Sequence, residues 1–284
     1  MNRNITLIDK SITYGLLTFL GLILILPFVF MISISLAGPA TTAKLSFTVF
    51  PSEYEFSNYI DIFTEEQVGR WFLNSVFLVA FCIIGQVFVS SLVAYGFARL
   101  NAPGKNLIFL VLLSTMMIPS EVTMIPQFVI FRKLGWLNSY KPLIIPNFFG
   151  GAFNIFLIRQ FITRIPTSLD DAAKIDGLGY LGIYFRIILP LIRPILVTVA
   201  IFTFQWNWGW FMGPLIYIND IDNAPLALGV QILSATSGLG EAPKWNMVMV
   251  ASMLLTLPMI LVFFFGQKYV FEANISGGSS ATKG

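Results

Sequence analysis

Side chains able to do chemistry are scarce in this chain and fall in three places. Asp170, Asp171 and Asp176 lie within seven residues, interleaved with Ala172, Ala173 and, just after, Gly177. Trp206, Asn207, Trp208, Trp210 and Phe211 crowd a second stretch, with Gln205 just ahead of it. Glu121 is the single acid in an otherwise uncharged run from Asn106 to Phe131. Carboxylates of this kind can anchor a helix or pair with a cation; amides can bond hydroxyls, and aromatic faces can stack on sugar rings. The partners that catalysis needs are missing. Histidine is absent from all 284 residues, which removes Ser-His hydrolysis and His-ligated zinc or haem. Cys82 is the one cysteine, so no internal disulfide is available. No Gly-x4-Gly-Lys-Ser/Thr loop occurs, so the chain does not cradle a nucleotide itself.

The elements that must position these residues are apolar. Hydrophobic residues make up 56% of the chain and charged residues 11%, against roughly 25% charge in a soluble domain. The mean hydropathy is +0.80. That composition cannot coat a water-soluble globule, and it excludes a cytosolic enzyme, a secreted domain and a disordered tail. Six charge-poor runs stand out: Ser11–Ala43, Trp71–Ala98, Asn106–Ser120 with its continuation to Phe131, Pro142–Ile158, Pro194–Asn219 and Trp245–Gln267. A bilayer core of about 30 Å needs about 20 apolar residues per helix. The runs are too long for barrel strands and do not alternate. The expected fold is all-α and polytopic, with six transmembrane helices over about 12–37, 71–98, 107–131, 142–162, 190–218 and 245–271, in one transmembrane domain over 1–284. The first run far exceeds a 7–15 residue signal-peptide core, so it reads as a retained helix.

Charge sets the expected orientation. With the N-terminus inside, 11 of the 17 Lys and Arg fall on inner segments and nine of the 14 acids on outer ones, leaving +6 inside against −3 outside. That bias places both termini of a multi-pass membrane protein in the cytoplasm. The segment Arg132–Lys141 dissents, with three positive charges outside. The first outer loop, Lys44–Arg70, is acidic, and the tail from Ser276 is rich in Gly and Ser.

The longest inner segment, 164–189, carries the first acidic cluster. Thr167 with Asp170, and Ser168 with Asp171, are spaced as overlapping capping boxes that open a helix. Leu169, Ala172 and Ala173 fall on one face by i, i+3, i+4 spacing. Asp176-Gly177 reads as a stop, with Gly177 free to take positive φ. A second short helix over about Tyr180–Ile188 leads to Pro190. A helix, a glycine turn and a helix with a small-residue face suit docking against a partner; an ordinary amphipathic loop helix is the other reading.

Asp171-Ala172-Ala173-x3-Gly177-x9-Ile187-x-Leu189-Pro190 resembles the EAA loop of ABC importer permeases, which reads Glu-Ala-Ala, three residues, Gly, nine residues, Ile-x-Leu-Pro. Asp176 ahead of Gly177 also matches. Asp171 stands where the family usually has Glu, one methylene shorter. Met117-x-Pro119 through Ile125-Pro126, Leu134-Gly135-x-Leu137-Asn138-Ser139, Arg159-x-Phe161, Trp206-Asn207 with Pro214-Leu215, and the closing Ala281-Thr282-Lys283-Gly284 look like the carbohydrate-uptake, maltose-permease-like subfamily. Glu272-Ala273-Asn274-Ile275 departs from the usual Gly-Leu-Thr stretch.

The resemblance implies a binding-protein-dependent importer with a second permease subunit in a heterodimer, two ATP-binding cassette ATPases and an extracytoplasmic solute-binding protein. ATP and Mg would sit on the ATPases, with no cofactor or metal on this chain and no nucleic acid among its partners. Asp171, Ala172, Ala173, Asp176, Gly177, Leu189 and Pro190 would couple to an ATPase through the cytoplasmic helix-turn-helix loop. The expected cargo is a sugar or oligosaccharide, with a sugar phosphate or glycerol phosphate ester as the alternative. No Arg or Lys lies between Pro194 and Asn219, which favours neutral cargo.

Trp206, Asn207, Phe211 and Glu121 are the candidate substrate path. Arg193 lies 13 residues before Trp206 and Asp220 14 after it, which puts Trp206 mid-span. Asn207 and Phe211 are spaced i, i+4, so within one helix they would share a face. An interfacial aromatic belt is the bland reading of the tryptophans. For Glu121 it is a helix end at the rim, favoured by Pro119 and Pro126. Gln86 and Gln160 are weaker polar candidates. An ion-coupled secondary transporter would want acids or histidines within the spans, which here are almost free of them. An intramembrane enzyme would want facing carboxylates.

Overall fold

In the computed structural model of the protein, residues 7–38, 51, 53–236 and 244–278 are described. The start of the first outer loop, residues 44–50, and the closing peptide Ala281–Gly284 lie outside them. The described residues are helical, apart from loops and an isolated antiparallel bridge between Ala37 and Tyr54. In chain order the helices are α1 (Leu7–Ser35), α2 (Asn58–Thr64), α3 (Val68–Arg99), α4 (Lys105–Ser114), α5 (Ser120–Lys133), α6 (Lys141–Ile144), α7 (Ala152–Ile162), α8 (Ser168–Ile175), α9 (Tyr180–Ile183), α10 (Leu189–Leu191), α11 (Arg193–Trp208), α12 (Met212–Tyr217), α13 (Leu226–Thr236) and α14 (Trp245–Gly278).

Backbone satisfaction explains the all-helical result. In hydrocarbon, unpaired N–H and C=O groups cost several kcal/mol each, so apolar runs close their hydrogen bonds within the segment. Four stretches are long and apolar enough to cross a membrane: Lys10–Ser35, Val68–Arg99, Lys141–Ile162 and Trp245–Tyr269. Two further pairs meet the same length and composition together but are bent, Lys105–Met117 with Ser120–Lys133 by 98°, and Tyr180–Leu191 with Arg193–Trp208 by 77°.

Prolines account for the bends, where the charge-free runs alone read as straight helices. Ile118 precedes Pro119 and is pushed out of the helical region, to φ −87° and ψ 116°. The chain therefore stops after Met117 and restarts at Ser120. At the second bend, Pro194 brings no N–H to the Pro190 carbonyl four residues back, so the ladder breaks around Ile192. The long run from Pro194 is also two helices: α11 ends at Trp208 and α12 begins at Met212.

The chain divides into two compact units. The first, residues 1–68 and 230–254, is tied by polar side chains at the end of α1. Asn58 Nδ2 donates to the Ser35 and Ala37 carbonyls at 3.0 and 3.1 Å. The Ser35 carbonyl is an orphan acceptor at the helix C-terminus and that of Ala37 lies just beyond it, and Asn58 satisfies both. Asn246 Nδ2 in turn donates to Asn58 Oδ1 at 2.9 Å.

The second unit, residues 69–229 and 255–284, holds the larger core. Tyr95 on α3, Ile155, Ile158 and Ile162 on α7, Ala173 on α8 and Tyr184 pack together with almost no exposure. Aliphatic residues on α7 at i, i+3, i+7 present one stripe to this cluster. The segment 164–191 is thus packed onto the spans rather than projecting freely from them.

Candidate functional site

The segment 164–191 is built around α8, and its start differs from the expected capping boxes. Thr167 takes a helical conformation and its side chain makes no cap hydrogen bond. The carboxylates expected to complete the boxes have other partners. Asp170 Oδ2 lies 3.0 Å from Arg99 Nε, with side chains only 8% and 5% exposed. Asp171 Oδ1 meets Lys174 Nζ at 3.2 Å on the surface. Both acids still sit in the first turn, where the helix dipole favours negative charge.

The stop at Gly177 has the expected form. Gly177 takes φ +82°, a conformation that costs a residue with a Cβ about 1–2 kcal/mol. Leu178 N donates to Ala173 O at 2.9 Å and Gly177 N to Lys174 O at 3.0 Å. This pair of bonds is a Schellman motif, which closes the last turn of α8 and reverses the chain. Beyond it, α9 runs into a π-turn at Tyr184–Ile188 and then Leu189 and Pro190.

The faces of α8 differ from the small-residue stripe expected from spacing. Asp170 and Ala173 face inward and are buried, whereas Leu169, Ala172, Ile175 and Asp176 are exposed. Leu169 and Ala172 therefore differ from their neighbour Ala173 in exposure, and the three do not form one outward stripe. Burial of Asp170 by Arg99 rotates the helix so that Ile175, 87% exposed, stands at its tip. Tyr180 and Leu181 are exposed beyond the turn. An apolar tip flanked by Asp171 and Asp176, held from behind by a buried ion pair, is a surface that can seat in a partner. Leu189 packs at the edge of the buried cluster, while Pro190 is exposed.

The aromatic stretch is divided by the end of α11. Trp206 is 68% exposed and lies in the last turn of the helix, not at its middle. Asn207 is buried, and its Nδ2 donates to Thr203 O in its own helix at 2.8 Å. Phe211 lies past Gly209, outside α11, so it does not share a helical face with Asn207. Trp208 is core: its Nε1 donates to Leu255 O at 2.8 Å and its ring stacks on Phe204 at 5.2 Å. Glu121 stands exposed in the first turn of α5, just after the Pro119 break, accepting from Ser120 Oγ at 3.0 Å.

A polar network that spacing did not reveal lies within the spans. Gln86 Nε2 on α3 donates to Asn147 Oδ1 at 3.1 Å, and Asn154 Nδ2 on α7 donates to Gln86 Oε1 at 3.0 Å. Ser90 Oγ donates to Gln86 Oε1 and accepts from Gly151 N, both at 3.3 Å. Gly85 lets the two segments meet, since a Cβ there would come within 2.8 Å of the Phe148 ring. The signal was present: an amide in an apolar run must find a partner. Gln86, Asn147 and Asn154 each lie in such a run.

At the other end of α3, side chains hold the segment 221–226. Trp71 Nε1 donates to Ile221 O at 2.9 Å. Asn74 Nδ2 donates to Asp222 O and Ala224 O at 2.9 and 3.0 Å. Tyr140 donates to Asn223 O at 2.9 Å. Burial raises the Tyr140 phenol above its usual range, with Arg70 opposing the shift, so it stays a donor through neutral pH. Among the described residues no group of three or more His, Cys, Asp and Glu is arranged to hold a metal ion.

Residues 86–273 match the family described as the binding-protein-dependent transport system inner membrane component. The polygalacturonan/rhamnogalacturonan transport system permease protein YtcP of Bacillus subtilis is 32% identical over 275 residues, covering 93% of this chain and 95% of that protein. The lactose transport system permease protein LacG of Rhizobium radiobacter is 30% identical over 266 residues, covering 93% and 94%. The fold is also similar to a chain in the solved structure of a bacterial ABC transporter involved in the import of the acidic polysaccharide alginate, with TM-score 0.80, 22% identity, and coverage of 95% and 99%. With a family match over most of its length and relatives at 30% identity or above, the chain belongs to the binding-protein-dependent transport system inner membrane components, the multi-pass permease subunits of ABC transporters.

Proposed function

We propose that this chain carries a sugar or oligosaccharide across the plasma membrane as one of two permease subunits. Its four long apolar helices and two bent pairs make six crossings, with both termini in the cytoplasm. The segment 164–189 docks on one of two ATPases, which bind ATP and Mg, and an extracytoplasmic protein delivers the cargo. The charge asymmetry of the loops supports the orientation. The transport names of the relatives support the cargo class: polygalacturonan and rhamnogalacturonan for one, lactose for another.

The observation that carries the docking role is the geometry of α8. Its inner face is fixed by Arg99 and Asp170, its end is closed at Gly177, and its outer face shows Leu169, Ala172, Ile175, Asp171 and Asp176. An exposed apolar tip on a rigid mount suits a groove on a partner, because a lever transmits force only if its base does not yield. For the cargo path we propose Trp206, Phe211 and Glu121, which are exposed, with Asn207 offering its Oδ1 because its Nδ2 is already bonded to Thr203.

Crosslinking tests the docking role. In a Cys82→Ser background, Ile175→Cys should crosslink to the ATPase through a short thiol-to-amine reagent when the whole importer is assembled. Lys244→Cys should not. Equal crosslinking at both positions, or none at Ile175→Cys, would rule out α8 as the docking element.

A further inference from the structure

Helix α3 binds the segment 164–191 through one stripe of its surface. Ser91, Tyr95 and Arg99 are spaced by four residues, so they lie along one face. Ser91 Oγ and the Tyr184 hydroxyl are 2.7 Å apart, both fully buried. Tyr95 donates from its hydroxyl to Tyr180 O at 3.1 Å, and its ring lies 5.3 Å from that of Tyr184. Arg99 Nη2 donates to Ile165 O at 2.7 Å while Nε faces Asp170. The stripe therefore holds the segment at its entry, at α8 and at the π-turn.

The same helix is bound at its other end to 221–226. Besides the Trp71 and Asn74 bonds, Ser75 Oγ accepts from Leu226 N at 2.8 Å, and Arg70 Nη1 pairs with Asp222 Oδ2 at 2.9 Å. Between the ends, Gln86 and Ser90 tie α3 to Asn147, Gly151 and Asn154. The 32 residues of α3 contain no proline and form one continuous helix. At 1.5 Å per residue it spans about 48 Å. The crossing formed by 180–208, by contrast, bends by 77° next to the π-turn.

We infer that α3 is the rod through which a displacement of 164–191 reaches the 221–226 segment at the opposite end of the helix. Arg99 is the positioning residue that locks α8 to it. The inference rests on the reading of α8 as the ATPase-docking element. An ATPase-driven movement of α8 then moves α3 as a body, because Arg99 holds α8 while Ser91 and Tyr95 hold Tyr184 and Tyr180 just beyond it.

The test uses the complete importer, with its second permease, both ATPases and the binding protein, in proteoliposomes. The double replacement Arg99→Met with Asp170→Leu removes the ionic latch without leaving a buried charge alone, and Arg99→Lys keeps the charge. Uptake per ATP hydrolysed should fall at least tenfold in the double variant and stay within threefold of wild type in Arg99→Lys. Thermal unfolding of the assembled complex should change little in either. Spin labels at Lys174→Cys and Ile221→Cys, in a Cys82→Ser background, should both respond to ATP in the otherwise native chain. In the double variant, only the label at position 174 should respond. Tyr184→Phe, which deletes one hydroxyl, should lower the ratio about threefold and gives the same reading if the double variant does not assemble. An unchanged uptake-to-hydrolysis ratio in these variants would overturn the inference. So would a loss of uptake in strict proportion to lost assembly and hydrolysis, or an intact response at position 221. Failure of the native chain to retain the ATPases at all would remove the docking reading beneath it.

Discussion

Arg99 Nε and Asp170 Oδ2 stand 3.0 Å apart, joining the end of a membrane-length helix to the first turn of α8. The contact is ionic, since the Nε hydrogen is not aimed for a hydrogen bond and Asp170 Oδ1 is buried without one. Buried charges of this kind depend on each other. Removing one partner leaves the other uncompensated, which typically costs about 3–5 kcal/mol, whereas replacing both by apolar residues of similar size is often neutral. Arg99→Met alone should therefore lower the thermal stability of the purified subunit sharply, and Arg99→Met with Asp170→Leu should recover most of it. Additive losses in the double variant would show that the two side chains do not form an interdependent pair.

Gly177 should resist substitution for a different reason. Its φ of +82° closes the Schellman turn, and a Cβ at that position meets open space but a strained backbone. Gly177→Val should cost about 1 kcal/mol or more locally. Membrane insertion should be unaffected, while transport-coupled ATP hydrolysis is lost. Normal stimulation of hydrolysis by loaded binding protein in a Gly177→Val complex would contradict this.

The polar network between α3 and α7 gives a stability prediction. Gln86→Leu removes the acceptor for Asn154 Nδ2 and the donor to Asn147 Oδ1. Interhelical bonds of this type contribute about 0.6 kcal/mol each on average and up to about 1.7. A loss of about 1–3 kcal/mol is expected by thermal unfolding in detergent. An unchanged melting temperature would mean that the amides find other partners.

Much of this architecture is legible in the sequence, and the misses share a cause. Charge-free runs locate the helices because hydrocarbon tolerates only internally bonded backbone. The Asp176-Gly177 stop is legible because only glycine takes that turn without strain. The bends at Pro119 and around Ile192, and the end of α11 at Trp208, interrupt runs that carry no charge to mark them. Local spacing suggested capping boxes for Asp170 and Asp171. A tertiary partner 71 residues away, Arg99, took Asp170 instead, and that choice also set which face of α8 is exposed. The separation of Trp206 from Asn207, one exposed and one buried, likewise depends on packing that no local pattern records.

Asn207 separates a role in the path from a role in packing. Its donor is used within α11 rather than between helices, so Asn207→Ala should leave assembly and melting temperature near those of the native complex while lowering uptake. A destabilised complex with unchanged uptake per folded molecule would assign Asn207 to packing.

Orientation can be checked at Lys174, which is exposed on α8. In a Cys82→Ser background, Lys174→Cys should be protected from an impermeant thiol reagent added outside intact cells and labelled readily in inverted vesicles. Labelling from outside would reverse the proposed topology and move α8 away from the ATPases.

The most direct measurement is uptake itself. The chain, reconstituted with its second permease and two ATPases in vesicles carrying no ion gradient, should accumulate a labelled oligosaccharide only when both ATP and the loaded binding protein are supplied on their proper sides. Replacing ATP by a non-hydrolysable analogue should abolish accumulation. Accumulation that proceeds without ATP, driven by an imposed proton or sodium gradient, would contradict an ATP-driven importer.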